Sequence, residues 1–113
     1  YNTVLKLENS FETYQIIAYL CFHLIIDEIH VLKIAVHPEQ RYKGFAGKLL
    51  NHCLFGLREQ RVRSATLEVR ESNAAGLGLY KKTGFVIEAQ IPNYYPDTHE
   101  DMILMRKHFL KEV

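Results

Sequence analysis

Apolar, β-branched and aromatic residues crowd the first part of the chain and are broken at short intervals by polar pairs. Thr3 to Glu8 reads as a short strand closed by the polar turn Asn9-Ser10, and Thr13 to Ile26, rich in Ile, Tyr, Leu and Phe, reads as a long strand. Asp27-Glu28 turns the chain into a third strand, Ile29 to Val36, which makes an antiparallel hairpin with the second. Pro38 has no N–H to give a ladder and closes that strand. The period then changes. From Tyr42 or Lys43 to about Arg61 the apolar residues Phe45, Leu49, Leu50, Cys53, Leu54 and Leu57 fall on one helical face, which packs on the sheet. Ala65 to Val69 is the next strand. Ser72-Asn73 offers N-cap chemistry to a short helix from Ala74 to about Thr83, with Gly84 as its C′ residue. Phe85 to Ala89 and Asp101 to Met105 are the last strands, joined by the loop Ile91-Pro92-Asn93-Tyr94-Tyr95-Pro96. The order βββαβαββ predicts an α/β (α+β) fold with a mixed central sheet and helices packed on it. The helix between Ile29–Val36 and Ala65–Val69 makes those two strands a parallel crossover pair. With no repeat, low-complexity tract or linker, residues 1–113 read as one domain.

The turn between the third strand and the long helix carries the first chemistry. Backbone N–H groups at a helix start lack intrahelical partners and lie at the positive end of the helix dipole, so Gly44, Ala46 and Gly47 would let an anion approach closely. Arg41, Lys43 and Lys48 add full charges. A P-loop is excluded, because Tyr42 stands at its first glycine position and Leu49 follows Lys48. A G-x-G-x-x-G fingerprint is excluded too, since neither Gly44-Phe45-Ala46-Gly47 nor Gly76-Leu77-Gly78 completes it. The pattern that fits is [QR]-x-x-G-x-[GA], read as Arg41-x-x-Gly44-x-Ala46; the plainer alternative is an ordinary turn with solvated basic residues.

Two further residues stand out against their elements. Central parallel strands usually run unbroken in apolar residues, so Glu68 within Thr66-Leu67-Glu68-Val69 is expected to point into a cleft. Its alternative is an ion pair with Arg70 or Arg63. Tyr80, one helical turn after Leu77, is either a core aromatic or a proton donor.

Composition narrows the function classes. A length of 113 residues with 48% hydrophobic content supports a single core, and a net charge of +1 argues against nucleic-acid binding driven by bulk charge. Cys21 and Cys53 sit in apolar contexts without metal-ligand spacing and are expected to be buried free thiols, at home in a reducing cytoplasm. The six histidines form no metal constellation, so no metal is expected, and His99 reads as an exposed loop residue. The longest apolar stretch, Ile16 to Ile26, is interrupted by Tyr19 and His23 and is too short for a bilayer; no membrane role is expected.

The basic turn resembles the acetyl-CoA pyrophosphate loop of the GCN5-related N-acetyltransferases, the GNAT superfamily. Leu67-Glu68-Val69-Arg70-Glu71-Ser72-Asn73-Ala74-Ala75, then Leu79-Tyr80-Lys81-Lys82-Thr83-Gly84-Phe85, then Asn93-Tyr94-Tyr95-Pro96 and Glu100-Asp101 follow in family order from about Tyr14 to Met105. They are similar to the bacterial ribosomal-protein-alanine N-acetyltransferases. The resemblance implies a GNAT fold using acetyl-CoA as co-substrate, with Glu68 as general base and Tyr80 as general acid. It implies that the backbone of Ile34, Ala35 and Val36 pairs with the pantetheine arm. Arg41, Tyr42, Lys43, Gly44, Phe45, Ala46 and Gly47 would cradle the pyrophosphate, Asn73 would add a cofactor contact, and Tyr94 and Tyr95 would cover the acceptor. The implied acceptor is a protein N-terminus, the N-terminal alanine of ribosomal protein S18, rather than nucleic acid or membrane. The family normally begins with another strand and two helices, so the chain reads as an N-terminally truncated domain whose acceptor binding depends on them. Two other readings stay open: an acetyltransferase for a different amine, whether another protein N-terminus, a lysine or a small molecule, and a non-catalytic acetyl-CoA-binding module.

Overall fold

A computed structural model describes residues 2–8, 14–59 and 61–109. The expected turn at Asn9-Ser10, and Thr13, lie outside the described residues. The alternating N-terminal pattern produces three strands, β1 (Asn2–Glu8), β2 (Tyr14–Ile25) and β3 (Glu28–Val36), each antiparallel to the one before. A single 3₁₀ turn at Pro38–Gln40 leads to helix α1 (Phe45–Glu59). Strand β4 (Ser64–Arg70), helix α2 (Ala74–Lys82) and strands β5 (Val86–Ile91) and β6 (Met102–His108) complete the order βββαβαββ. The six strands form one mixed sheet in the order β1-β2-β3-β4-β6-β5, with β3 and β4 its parallel pair.

Helix α1 starts later than the apolar spacing predicts. Tyr42 (φ 65°) and Gly44 (φ 80°) adopt left-handed backbone conformations that cannot continue into a right-handed helix, so its first turn begins at Phe45. Its apolar stripe of Leu49, Leu50, Cys53, Leu54 and Leu57 is buried against Ala18, Leu20 and Phe22 of β2, Ile29 and Val31 of β3, Ala65, Leu67 and Val69 of β4, and Ile103 and Met105 of β6. Along β2, β3, β4 and β6 these core residues fall at every second position, as the pleat requires. Cys53 is buried as expected, whereas Cys21 is half-buried.

The residues between those core positions carry polar side chains that tie strands together. Ser64 Oγ donates to Glu28 Oε2 at 3.0 Å, Arg106 NH1 donates to the same oxygen at 2.7 Å, and His30 Nδ1 lies 2.9 Å from Thr66 Oγ1. Arg106 also pairs with Glu88 of β5. Four strands are thus bridged by side chains as well as by backbone. Neither described helix is long and apolar enough to cross a membrane.

Candidate active site

The parallel pairing of β3 with β4 runs from Glu28–Val31 against Ser64–Leu67, and beyond it the two strands diverge. Each keeps its outer neighbour. Val36, Ala35, Ile34 and Lys33 remain paired with Ala18 to Cys21 of β2, while Glu68, Val69 and Arg70 remain paired with Leu104, Ile103 and Met102 of β6. A wedge therefore opens at the carboxyl ends of the parallel strands, the place where open α/β sheets bind ligands. One side is the strand edge of Ile34, Ala35 and Val36. The other is the end of β4 that bears Glu68.

The basic turn closes the mouth of the wedge on the β3 side. Arg41 Nε donates to the Val36 carbonyl at 3.3 Å, and Lys43 Nζ donates to Gln40 Oε1 at 3.0 Å, which folds both cations onto the turn. The first helical bond of α1 runs from the Lys48 N–H to the Gly44 carbonyl at 3.1 Å, so the N–H groups of Phe45, Ala46 and Gly47 have no intrahelical acceptor. Arg41, Tyr42, Lys43 and Gly44 are exposed. No atom lies within 4 Å of where a Cβ on Gly44 would stand, so this approach is open. Gly47 faces inward instead; a Cβ there would sit 3.5 Å from Leu79 Cδ1, which brings the start of α1 against α2.

Helix α2 is pinned at both ends. Asn73 Oδ1 accepts from the Gly76 N–H at 2.9 Å, an N-cap whose amide occupies space that a side chain at position 76 would need. Asn73, implied as a cofactor contact, thus has its carbonyl oxygen committed to the helix, and its amide nitrogen is the group with capacity to spare. At the far end Gly84 (φ 98°) makes the expected C′ turn, and Lys107 Nζ donates to the Thr83 carbonyl at 2.6 Å. Tyr80 lies between these pins, its ring edge-on to Phe85 with centroids 6.0 Å apart. Burial pushes the Tyr80 phenol above its ordinary range, so it stays protonated at neutral pH.

Glu68 differs from its expectation in one respect. Its side chain is open to solvent rather than enclosed. The ion-pair alternative also finds its candidates taken: Arg63 pairs with Asp27 at 3.5 Å, and Arg70 pairs with Asp97 and Glu100 at 3.0 and 3.3 Å. Tyr95 stands close by. Burial raises its phenol, and the nearby Glu68 carboxylate pushes in the same direction. The structure therefore brings Glu68, Arg70 and Tyr95 together at the end of β4. Tyr94 packs edge-on against Tyr95 at 5.1 Å and is partly exposed. The loop holding both is internally bonded, with the Tyr94 and Tyr95 N–H groups donating to the Glu100 carbonyl and His99, exposed as expected, donating its N–H to the Tyr95 carbonyl.

Residues 4–85 match the family model described as the acetyltransferase (GNAT) family. The chain belongs to that family. Among GNAT relatives, it is 38% identical over 90 residues to the [ribosomal protein bS18]-alanine N-acetyltransferase of Escherichia coli strain K12, covering 78% of this chain and 61% of that protein. The enzyme of the same name from Haemophilus influenzae is 40% identical over 85 residues, covering 75% and 58%. The crystal structure of the ribosomal-protein-S18-alanine N-acetyltransferase from Escherichia coli superposes with a TM-score of 0.80 at 33% identity, over 87% of this chain and 64% of that one. Ard1 from Thermoplasma volcanium gives 0.76 at 33%, over 85% and 65%. This GNAT chain therefore spans about three fifths of the length of these relatives.

Arg70 is the site residue that sequence reasoning missed. It entered as a partner for Glu68, and its true partners lie 27 to 30 residues away in the 94–100 loop. Asp97 and Glu100, acidic residues directly after the proline-bracketed loop, were the available signal.

Proposed function

We propose that the chain transfers an acetyl group from acetyl-CoA to the α-amino group of a protein N-terminus, the N-terminal alanine of ribosomal protein S18, with Glu68 as base and Tyr80 as acid. The observation that carries this reading is the divergence of β3 from β4 after Val31 and Leu67, with Glu68 on one side and the strand edge of Ile34 to Val36 on the other. A strand edge offers hydrogen bonds to the amide groups of a pantetheine arm as it would to another strand. The open turn from Arg41 to Gly47 supplies N–H donors and cations for phosphate oxygens.

Acetyl-CoA supplies the activated thioester; the protein has to manage two protons and one developing charge. An α-amine has a pKa of roughly 7.7 to 8.0, so the exposed Glu68 carboxylate has only modest work in accepting its proton, directly or through a water. Backbone N–H groups along Ile34 to Val36 are the donors for the charge that develops on the thioester oxygen. Tyr80, kept neutral by burial, carries the proton that the departing thiolate needs. Cys53 is buried in the core and serves no covalent step.

Incubation of a peptide beginning Ala-Arg with acetyl-CoA, followed by mass spectrometry that locates the acetyl group, tests the proposal. Modification of the α-amine supports it. Modification of a lysine alone would move the enzyme to another acceptor class, and acetyl-CoA binding without transfer to any amine would reduce the chain to a binding module.

A further inference from the structure

Arg70 sits two residues after Glu68, on the same side of β4 by the alternation of the strand. Its guanidinium is nevertheless committed away from Glu68. NH1 donates to Asp97 Oδ1 at 3.0 Å, to Thr98 Oγ1 at 3.1 Å and to Glu100 Oε2 at 3.3 Å, and NH2 donates to Asp97 Oδ2 at 3.2 Å. The guanidinium carbon also lies 4.0 Å from the centroid of the Tyr95 ring. Thr98 Oγ1 donates onward to Glu100 Oε2 at 2.9 Å, which joins the three loop residues into one network around a single cation. A planar fork can hold a carboxylate with two parallel bonds and lie against an aromatic face at the same time; an ammonium cannot.

We propose that Arg70 is the positioning residue of the acceptor loop: it fixes the 94–100 segment and the Tyr95 ring beside Glu68, and its pairing with Asp97 and Glu100 keeps it from neutralising that carboxylate. The inference rests on the reading of this site as an acetyl-acceptor site. Arg70 touches neither reacting group in this account and acts through Tyr95 and Glu68. Lys at this position preserves charge but loses the fork and the stacking face, so it does not substitute.

The test uses the full chain with Arg70→Gln, Arg70→Lys and Tyr95→Ala, and has two independent readouts. In steady-state assays with the Ala-Arg peptide, Arg70→Gln raises the KM for peptide about tenfold or more while the KM for acetyl-CoA stays within about twofold, because only the acceptor side is displaced. Arg70→Lys fails to restore it. In the double variant with Tyr95→Ala, Arg70→Gln adds little further loss, as residues acting through one another do. Equal changes in both KM values, full rescue by lysine, or strictly additive losses would overturn the proposal. The second readout is hydrogen exchange of the 92–101 segment by mass spectrometry: Arg70→Gln quickens exchange there and leaves α1 unchanged. Unchanged exchange in that segment refutes the positioning role whatever the activity. Absence of acetyl transfer by the wild type counts against the proposed function alone, and the exchange result then decides the role of Arg70.

Discussion

Gly76 gives the most exacting test of the local structure, because two opposing effects meet at one position. A Cβ built on Gly76 would lie 2.6 Å from Asn73 Nδ2 and 2.9 Å from its Cγ, well inside contact distance. The group that must yield is the Asn73 amide, and when it moves the 2.9 Å cap to the Gly76 N–H is lost. Loss of an Asn cap costs about 1 kcal/mol. Against this, Ala in place of Gly within a helix gains about 0.5 to 1 kcal/mol, nearer the lower figure in a first turn. Gly76→Ala should therefore be close to neutral or slightly destabilising in the native chain. With Asn73→Ala already in place there is no cap to lose, and the same substitution should stabilise by about 0.5 kcal/mol or more. The sign change is the signature. Chemical denaturation followed by tyrosine fluorescence, the chain having no tryptophan, measures the four corners of the cycle. The coupling should be about 1 kcal/mol, or about 4 °C in Tm for a domain of this size. Equal effects of Gly76→Ala in both backgrounds would refute the steric account.

Glu68→Gln and Tyr80→Phe should each lower kcat by about 10²-fold or more with acetyl-CoA binding nearly intact, since each removes one proton-transfer group and little else; wild-type turnover in either would remove that residue from the mechanism. Arg41→Ala should weaken acetyl-CoA binding about tenfold by loss of a charge-assisted phosphate contact, and calorimetry showing unchanged affinity would contradict the role of the turn. The Arg70 guanidinium holds Asp97 below the usual carboxylate range, while hydrogen bonds from Ser72 and Thr98, then Arg70, do the same for Glu100. A lowered folded-state pKa means stability that is present above the ordinary carboxylate value and lost as pH falls below about 4. Protection of the 92–101 segment, taken relative to the intrinsic exchange rate at each pH, should accordingly fall on acidification from pH 6 to 3 ahead of that of α1; a segment equally protected at both would rule out the ionic tether.

The order of elements was legible because each long element writes its period plainly: Leu49, Leu50, Cys53, Leu54 and Leu57 recur at helical spacing, and all are buried. Boundaries were less so. Nothing in the composition of Tyr42 announces a left-handed residue, and β6 runs on to His108 because its backbone stays paired with β4 as far as Ser64 and Arg106 finds partners on three other strands. The candidate site was readable where it consists of contiguous residues, as in the turn from Arg41 to Gly47. The wedge itself was not, because the point at which β3 leaves β4 depends on register, and no single strand carries that information. Arg70 shows the same limit, since its partners are set by the folding of a distant loop.

The strands β1–β2–β3 and β4–β6–β5 amount to two three-stranded plates that meet over four residue pairs. Few backbone bonds can cross so short a junction, and it is there that Glu28, His30, Ser64, Thr66 and Arg106 join their side chains. In mechanical terms the junction is a hinge with a pin through it. Any extended molecule lying along the edge of Ile34 to Val36 adds rungs beyond that pin, where leverage against opening is greatest. The stiffness of the whole sheet would then rise only when such a molecule also bonds to the end of β4, so that both plates are held.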